Sequence, residues 1–497
     1  MGNKNKRITN DVANLAEEHI KRGNALESAG RLNDAASQFR RAISLAPENE
    51  TARLGLSGVL LRQGKLSEGI KSIEAVLSIN PSDVEAHNRL GIALERQGNL
   101  LEAEAAFEQA ISLEPGFAPA YSNLGNILQA QGDLARAEEN IRKAIDFRPE
   151  SEITHNNLGN TLHKLGRLDE AATCYKKSLS LNPAYKTAAY NLSITLLLKG
   201  DLTTGWQHYE SRWESPHFQD EMKTFEQPLW EGSPLEGKTI LLHSEQGIGD
   251  TLQFVRYAKL IAEQGGKIIL ECQASLKKLI EKMPEFYAVI AEGESRPAFD
   301  LQAPLLSLPK IMGTTLETIP MEVPYIRALE NQETANAISS SPGHLKVGLV
   351  WAGNPEHEND RNRSIPLENF GALLNTSNTR IFSLQLEREN IRIRELGFDN
   401  KLRDLGPLVR GFDATAAAIE KLDLVVSVDT AAAHLAGAMG KSVWCLLSFV
   451  PDWRWMLTRE DTPWYPTMRL FRQKRIGNWE EVIREVGDSL RRLASTS

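Results

Sequence analysis

The sequence predicts two architectures in series: an α solenoid of paired helices, then an α/β module made of two parallel-sheet halves. Three observations carry this expectation. Pro47, Pro81, Pro115, Pro149 and Pro183 recur every 34 residues, in step with Gly30, Gly64, Gly98, Gly132, Gly166 and Gly200. From residue 238 onward, short apolar runs alternate with helical patterns, as an open parallel sheet requires. Two of the strand-to-helix turns carry small and acidic residues, Gly247-Ile-Gly249-Asp250 and Asp429-Thr430-Ala-Ala-Ala-His434.

A chain of 497 residues is long enough for about three domains, each with its own core. A net charge of −8 gives no global attraction for nucleic acid or an anionic membrane, so a phosphate site has to be a local concentration of positive field. No apolar run approaches the roughly 18 residues of a spanning helix, and the first 20 residues contain no signal-peptide core. The expectation is a cytoplasmic protein without a transmembrane segment. Cys174, Cys272 and Cys445 lie far apart with no paired spacing, which argues against a disulfide framework or a zinc site.

Residues 1–225 form the expected solenoid. Glycine ends the first helix of each pair and proline follows the second, because neither continues a helix interior cheaply. Gly91, Gly125 and Gly159 stand where paired helices cross. The pattern resembles the tetratricopeptide repeat family, with five full repeats over residues 16–185 and a sixth, irregular one over 186–215. In that last unit Gly205, Trp206, Tyr209 and Trp213 replace the regular residues and no proline follows, which reads as a cap docking onto the next domain. Asn123, Asn157 and Asn191 recur at the same spacing, with Asn126 and Asn160 one turn after the first two. This resembles the asparagine ladder of the O-linked N-acetylglucosamine transferase family, which implies binding of a peptide backbone in the repeat groove. The alternative is that the amides cap or bridge neighbouring helices.

Residues 226–340 form the first α/β half. A turn-rich linker, Gln227 to Gly237, leads into a strand at Lys238–His243, the Gly247-Ile-Gly249-Asp250 loop, a helix from Thr251 to about Gln264, and a second strand at Lys267–Cys272. Gly247 and Gly249 let the chain turn at the strand's carboxyl end, where such sheets place ligands. Asp250 there reads either as a helix N-cap or as a general base for an attacking hydroxyl.

Residues 341–497 form the second half. A strand at His344–Trp351 ends in the tight turn Ala352-Gly353-Asn354-Pro355 and a polar run containing Arg361 and Arg363, either merely solvated or able to neutralise a diphosphate by bidentate bonds. The strand Arg380–Gln385 carries Ser383 and Gln385 at its mouth. The run at 423–428 reads as a buried strand breaking at Asp429-Thr430 into an alanine-rich helix that stops at Gly440, and Ser442–Leu447 reads as the next strand. Asp429 or Thr430 suits the N-cap, and small Ala431, Ala432 and Ala433 let an anion approach the unpaired first-turn amides. His434 shares the face of Thr430 and can donate to the same anion; it reads equally as a packing residue. Asp452-Trp453-Arg454-Trp455 and Trp464-Tyr465 form an aromatic, partly charged segment suited to stacking on a base or sugar, or to walling off the core. A final helix, about Asn478 to Leu493, is placed to cross back to the first half.

Residues 238–490 resemble the two-Rossmann, B-type glycosyltransferases (GT-B), and within them the heptosyltransferase-related family, glycosyltransferase family 9. Gly249-Asp250-Thr251 matches that family's Gly-Asp, and Asp429-Thr430-x-x-x-His434 its donor motif. The resemblance implies Asp250 as catalytic base, with Thr430, the following amides and His434 at the donor pyrophosphate. Asn354, Arg361, Arg363, Ser383, Gln385, Asp429 and Ala431 complete the expected donor set. The first half, of about 110 residues, is short for the family, and no equivalent of its acceptor-lipid surface is evident.

The expected function is inverting, metal-independent sugar transfer from a nucleotide-diphosphate sugar, with no other cofactor, to an acceptor hydroxyl on a protein or peptide recruited by the repeats. The alternatives are a non-catalytic repeat scaffold with a nucleotide-binding or degenerate module, and a nucleotide-sugar epimerase or hydrolase on the same fold.

Overall fold

A computed structural model describes residues 2–215, 218, 223–339, 343–357, 359–385 and 390–496. The chain divides into two compact units, residues 1–188 and 189–497.

The first unit is a run of antiparallel helix pairs: α1 (Gly2–Ser28) with α2 (Leu32–Leu45), α3 (Glu50–Arg62) with α4 (Leu66–Ile79), α5 (Val84–Arg96) with α6 (Leu100–Leu113), α7 (Ala118–Gln131) with α8 (Leu134–Phe147), and α9 (Glu152–Lys164) with α10 (Leu168–Leu181). The periodic glycines that end the first helices all adopt positive φ, 91° at Gly132, a conformation that side chains with a Cβ resist. Asn49, Asp83 and Ser151 start α3, α5 and α9 by accepting the N–H bonds of Ala52, Ala86 and Thr154. The crossing glycines are there for space. A Cβ on Gly91 would lie 2.5 Å from the Phe107 ring, and one on Gly125 would lie 2.3 Å from Ile141.

The second unit begins within α11 (Lys186–Lys199) and includes α12 (Leu202–Tyr209). Residues just beyond the repeats are therefore part of the α/β unit's own core, and the break falls earlier than the expected residue 225. Trp206 is buried edge-on against Trp453, with ring centroids 5.1 Å apart.

Two parallel sheets follow. The first contains β1 (Thr239–His243), β2 (Lys267–Cys272), β3 (Phe286–Ala291) and β4 (Leu301–Pro304), in the order β3-β2-β1-β4. The second contains β5 (Leu345–Val350), β6 (Thr379–Ser383), β7 (Leu402–Asp404), β8 (Leu424–Val428), β9 (Val443–Leu447) and β10 (Met468–Arg472), in the order β10-β9-β8-β5-β6-β7. In each sheet the winding reverses beside the first strand, which opens a crevice at the carboxyl ends of β1 and β4 and of β5 and β8.

Two expectations are corrected and one is met. The helical pattern after Asp250 is not one helix: it breaks into α13 (Ile248–Phe254), a 3-10 turn at Val255–Tyr257 and a short helix at Ala258–Ala262. The alanine-rich segment after β8 does form a helix, α14 (Ala431–Ala438). The final helix, α15 (Glu480–Thr496), does not cross back; Val482, Ile483, Val486 and Leu490 lie in one core with Val347, Leu349 and Val426 of the second sheet. Strands β3, β4, β7 and β10 were not expected. The three cysteines are free, and among the described residues no helix is long and apolar enough to cross a membrane.

Candidate functional site

Asp250 is not the N-cap of its helix. Gly247 takes that place, and Asp250, three residues on, turns its carboxylate back so that Oδ2 accepts the Gly247 N–H at 2.8 Å. Oδ1 faces the Arg454 guanidinium, from the loop after β9, in an ion pair. Arg454 is itself anchored: Nη1 donates to Asp452 at 2.8 Å, Nε donates to Gln253, and the Trp453 ring lies 4.3 Å from the guanidinium. The Arg454 side chain is 8% exposed and that of Asp250 16%. Burial pushes the Asp250 carboxyl above its ordinary range, with Arg454 opposing and Asp452 adding to the rise. A carboxylate of raised basicity beside a fixed cation is suited to accepting a proton.

The second motif sits at the end of β8. Thr430 is the N-cap of α14, but its hydroxyl lies 3.0 Å from Ser427 Oγ and no side chain caps the helix. Among the described residues the first-turn amides of Ala431 and Ala432 therefore have no side-chain acceptor, at half-buried positions. Arg363 supports this turn, donating from Nη1 to the Asp429 carbonyl and from Nε to Asp360, both at 3.2 Å. Burial pushes the Asp429 carboxyl up to about 6; neighbouring Asp452 adds to this, and Trp455, Arg363 and Arg454 oppose it.

His434 is buried, with Nδ1 2.9 Å from the Tyr465 hydroxyl and Nε2 3.9 Å from Asp429 Oδ1. Burial, then the positive field of Arg454, Arg256 and Arg363, holds its pKa well below the usual histidine value and favours the uncharged ring. It lies behind Asp429, not on an open face of the helix start.

The two motifs meet. A Cβ placed on Gly249 would lie 3.0 Å from His434 Cδ2, and α13 packs directly on α14. Arg256 fastens the same seam, donating to the Trp464 carbonyl at 2.6 Å and to the Tyr325 hydroxyl at 2.8 Å.

Several expected site residues stand elsewhere. Ser383 and Gln385 are buried; Gln385 accepts from the backbone N–H of Trp351 and Ala352 and donates to the Ala352 carbonyl, so its amide ties β6 to the end of β5. Ser383 Oγ accepts from Gln385 N–H at 3.1 Å. Asn354 is exposed and closes its own turn by accepting from Glu356 N–H; Arg361 is also exposed. The segment Trp453–Trp455 with Trp464 and Tyr465 is buried, so it walls the core and offers no open stacking surface. Glu358 of the polar run, and residues 340–342 of the expected boundary, lie outside the described residues. Arg454, Asp452 and Gln253 were not picked out as site residues; the charged-aromatic run 452–455 was the only sign of the first two.

In the repeats, Asn123 Nδ2 donates to Asn88 Oδ1 at 2.9 Å and Asn157 Nδ2 to Ser122 Oγ at 3.4 Å, each linking the first helices of successive repeats. The bridging alternative therefore describes what these amides do within the chain. Asn191 is half-buried in the second unit, where its carbonyl accepts from the Thr195 hydroxyl at 2.9 Å.

Tetratricopeptide repeat models match residues 20–84, 59–121 and 116–184. Protein FlbA of Caulobacter vibrioides is 28% identical over 328 residues, which are 61% of this chain and 54% of that protein, so the chain spans about half the length of this curated relative. Among solved structures, the thermophilic tetratricopeptide protein TTC0263 of Thermus thermophilus is similar at 23% identity and a TM-score of 0.34, covering 37% of this chain and 99% of its own. The pilF protein of Pseudomonas aeruginosa is similar at 16% identity and a TM-score of 0.38, covering 42% and 97%. The N-terminal part of the chain, over the residues that the repeat models match, is an array of tetratricopeptide repeats, and an α/β unit of two parallel sheets follows it.

Proposed function

We propose that the second unit is a glycosyltransferase that moves a sugar from a nucleotide-diphosphate donor to a hydroxyl of a protein or peptide held by the repeats. The observation that carries this reading is the meeting of Gly249-Asp250 with Asp429-Thr430 and His434, placing a basic carboxylate beside an uncapped helix start at the carboxyl ends of two parallel sheets.

In this reading Asp250 takes the acceptor hydroxyl's proton as its oxygen bonds to the anomeric carbon. The nucleotide diphosphate departs from the opposite face, so the configuration inverts. Its growing charge meets the N–H groups of Ala431 and Ala432, with Arg363 behind the turn. His434 packs against the turn, bonded to Tyr465 and 3.9 Å from Asp429. The proposed transfer uses no metal.

A non-catalytic scaffold is the second reading. The observation favouring it is that both oxygens of Asp250 are already engaged, by Gly247 and by Arg454. Incubating the full chain with a panel of nucleoside-diphosphate sugars and peptide hydroxyl acceptors separates the readings. The transferase releases nucleoside diphosphate only with acceptor present, and Asp250→Asn abolishes release. A scaffold releases none, and an epimerase or hydrolase alters the donor without acceptor.

A further inference from the structure

The loop that presents Asp250 is gripped from outside the sheet it follows. Glu245 is buried and receives two bonds from Arg212, Nε to Oε2 and Nη2 to Oε1, both at 2.9 Å, together with the Leu306 N–H at 3.0 Å. Arg212 is itself 0% exposed. It also donates to Ser307 Oγ and Glu210, each at 2.8 Å, and to the Tyr209 carbonyl at 3.3 Å, and the Trp213 ring lies 4.3 Å from its guanidinium. The next residue, Gln246, holds φ at +58°, a left-handed conformation that a glutamine adopts only when its surroundings impose it. Its Nε2 donates to the Tyr209 hydroxyl at 3.2 Å. Gly247 follows, and its N–H is the one that fixes the Asp250 carboxylate.

Tyr209 and Arg212 come from the end of α12 and the turn after it, beyond the last repeat helices and far in sequence from the loop they hold. A buried ion pair contributes little net stability, because removing two charges from water offsets most of their attraction; what a bidentate pair does supply is fixed geometry. Here that geometry is imposed on two consecutive residues, Glu245 and Gln246, directly before the Gly247 whose N–H bonds the candidate base.

We propose that Arg212 and Tyr209 are positioning residues that hold the 244–247 loop in its left-handed turn and so aim Asp250. The inference rests on the transferase reading of that site. Its consequence is that the site is assembled from three stretches: the segment after the repeats, the β1 loop and the β9 loop.

The test uses three variants of the full chain. Tyr209→Phe removes one hydroxyl, Arg212→Lys keeps the charge without the fork, and the double variant Arg212→Gln with Glu245→Gln neutralises both partners in case a single change prevents folding. Amide hydrogen exchange is followed in the peptide spanning 244–250, alongside kcat and donor KM. We expect exchange there to quicken at least tenfold in Tyr209→Phe, with β5 and β8 unchanged, and kcat to fall at least tenfold with donor KM within twofold. Arg212→Lys should fall between wild type and the double variant. Unchanged exchange at 244–250 in folded variants overturns the inference, and so does faster exchange spread evenly over the whole unit. If the wild type transfers no sugar, the transferase reading falls, and the exchange result still decides whether this segment holds the loop.

Discussion

The Arg454 guanidinium closes on the Asp250 carboxylate across 204 residues of sequence, joining the loop after β9 to the start of α13. Each sheet half thus supplies one member of a nearly buried ion pair. Removing only the cation leaves Asp250 facing Asp452 with no compensating charge, at a position where water does not easily replace it. Arg454→Gln should therefore destabilise the second unit by about 3–5 kcal/mol, the usual scale for breaking one side of a buried pair. The double variant with Asp250→Asn should recover at least half of that loss. Thermal melts of the four proteins check this coupling.

Asp429 gives a pH signature. Its folded carboxyl holds a proton up to about 6, against 3.8 ordinarily, because burial penalises the charge. The group's contribution to stability is complete below its ordinary value and is lost as pH rises through about 6. A shift of that size corresponds to at most about 3 kcal/mol. Melting temperatures of wild type and Asp429→Asn between pH 4 and 7.5 should diverge in favour of the variant as pH rises through 6, then run parallel.

Gly249 is the contact between the two motifs. Adding a methyl there meets His434 at 3.0 Å, and the imidazole is held by Tyr465 on one side and Trp455 on the other, so it has little room to yield. Gly249→Ala should cost roughly 1–3 kcal/mol, as overpacking does, and should weaken any nucleotide-induced stabilisation. Differential scanning calorimetry with and without nucleotide reads both effects.

In the repeats, Gly125→Ala forces a Cβ to within 2.3 Å of Ile141 Cγ1. The first unit should lose roughly 1–3 kcal/mol while keeping its helical circular dichroism at low temperature. Ile141→Ala in the same chain should restore part of the loss, since it removes the carbon that clashes.

The repeat array was legible because every turn imposes the same constraint: a left-handed residue closing one helix and a proline after the next leave a fixed spacing on the page. Six strands were legible as apolar runs. The missed ones were too short or too mixed to stand out. β4 is four residues ending in proline, β7 is three, and β10 mixes two arginines with its apolar residues. The two turns of small and acidic residues were visible because a strand-to-helix turn needs small residues locally. Arg454 was not, since its partner is distant and nothing in the local sequence separates an arginine aimed inward from one lying in solvent. Ser383 and Gln385 show the converse. Polar residues at a strand mouth look like ligand contacts, yet backbone amides left over at the end of β5 claimed the Gln385 carboxamide first.

The measurement that tests the central claim most directly is the thermal stability of the full chain against ADP, UDP, GDP and their sugar conjugates. The transferase account predicts a selective upward shift with one nucleoside diphosphate, about 2.7 kcal/mol at a hundredfold excess over its dissociation constant, that is reduced in Arg363→Ala and kept in Asp250→Asn. No shift with any of the nucleotides, in a chain whose repeats still melt cooperatively, would contradict a donor site at Thr430 and leave the α/β unit as part of a repeat scaffold.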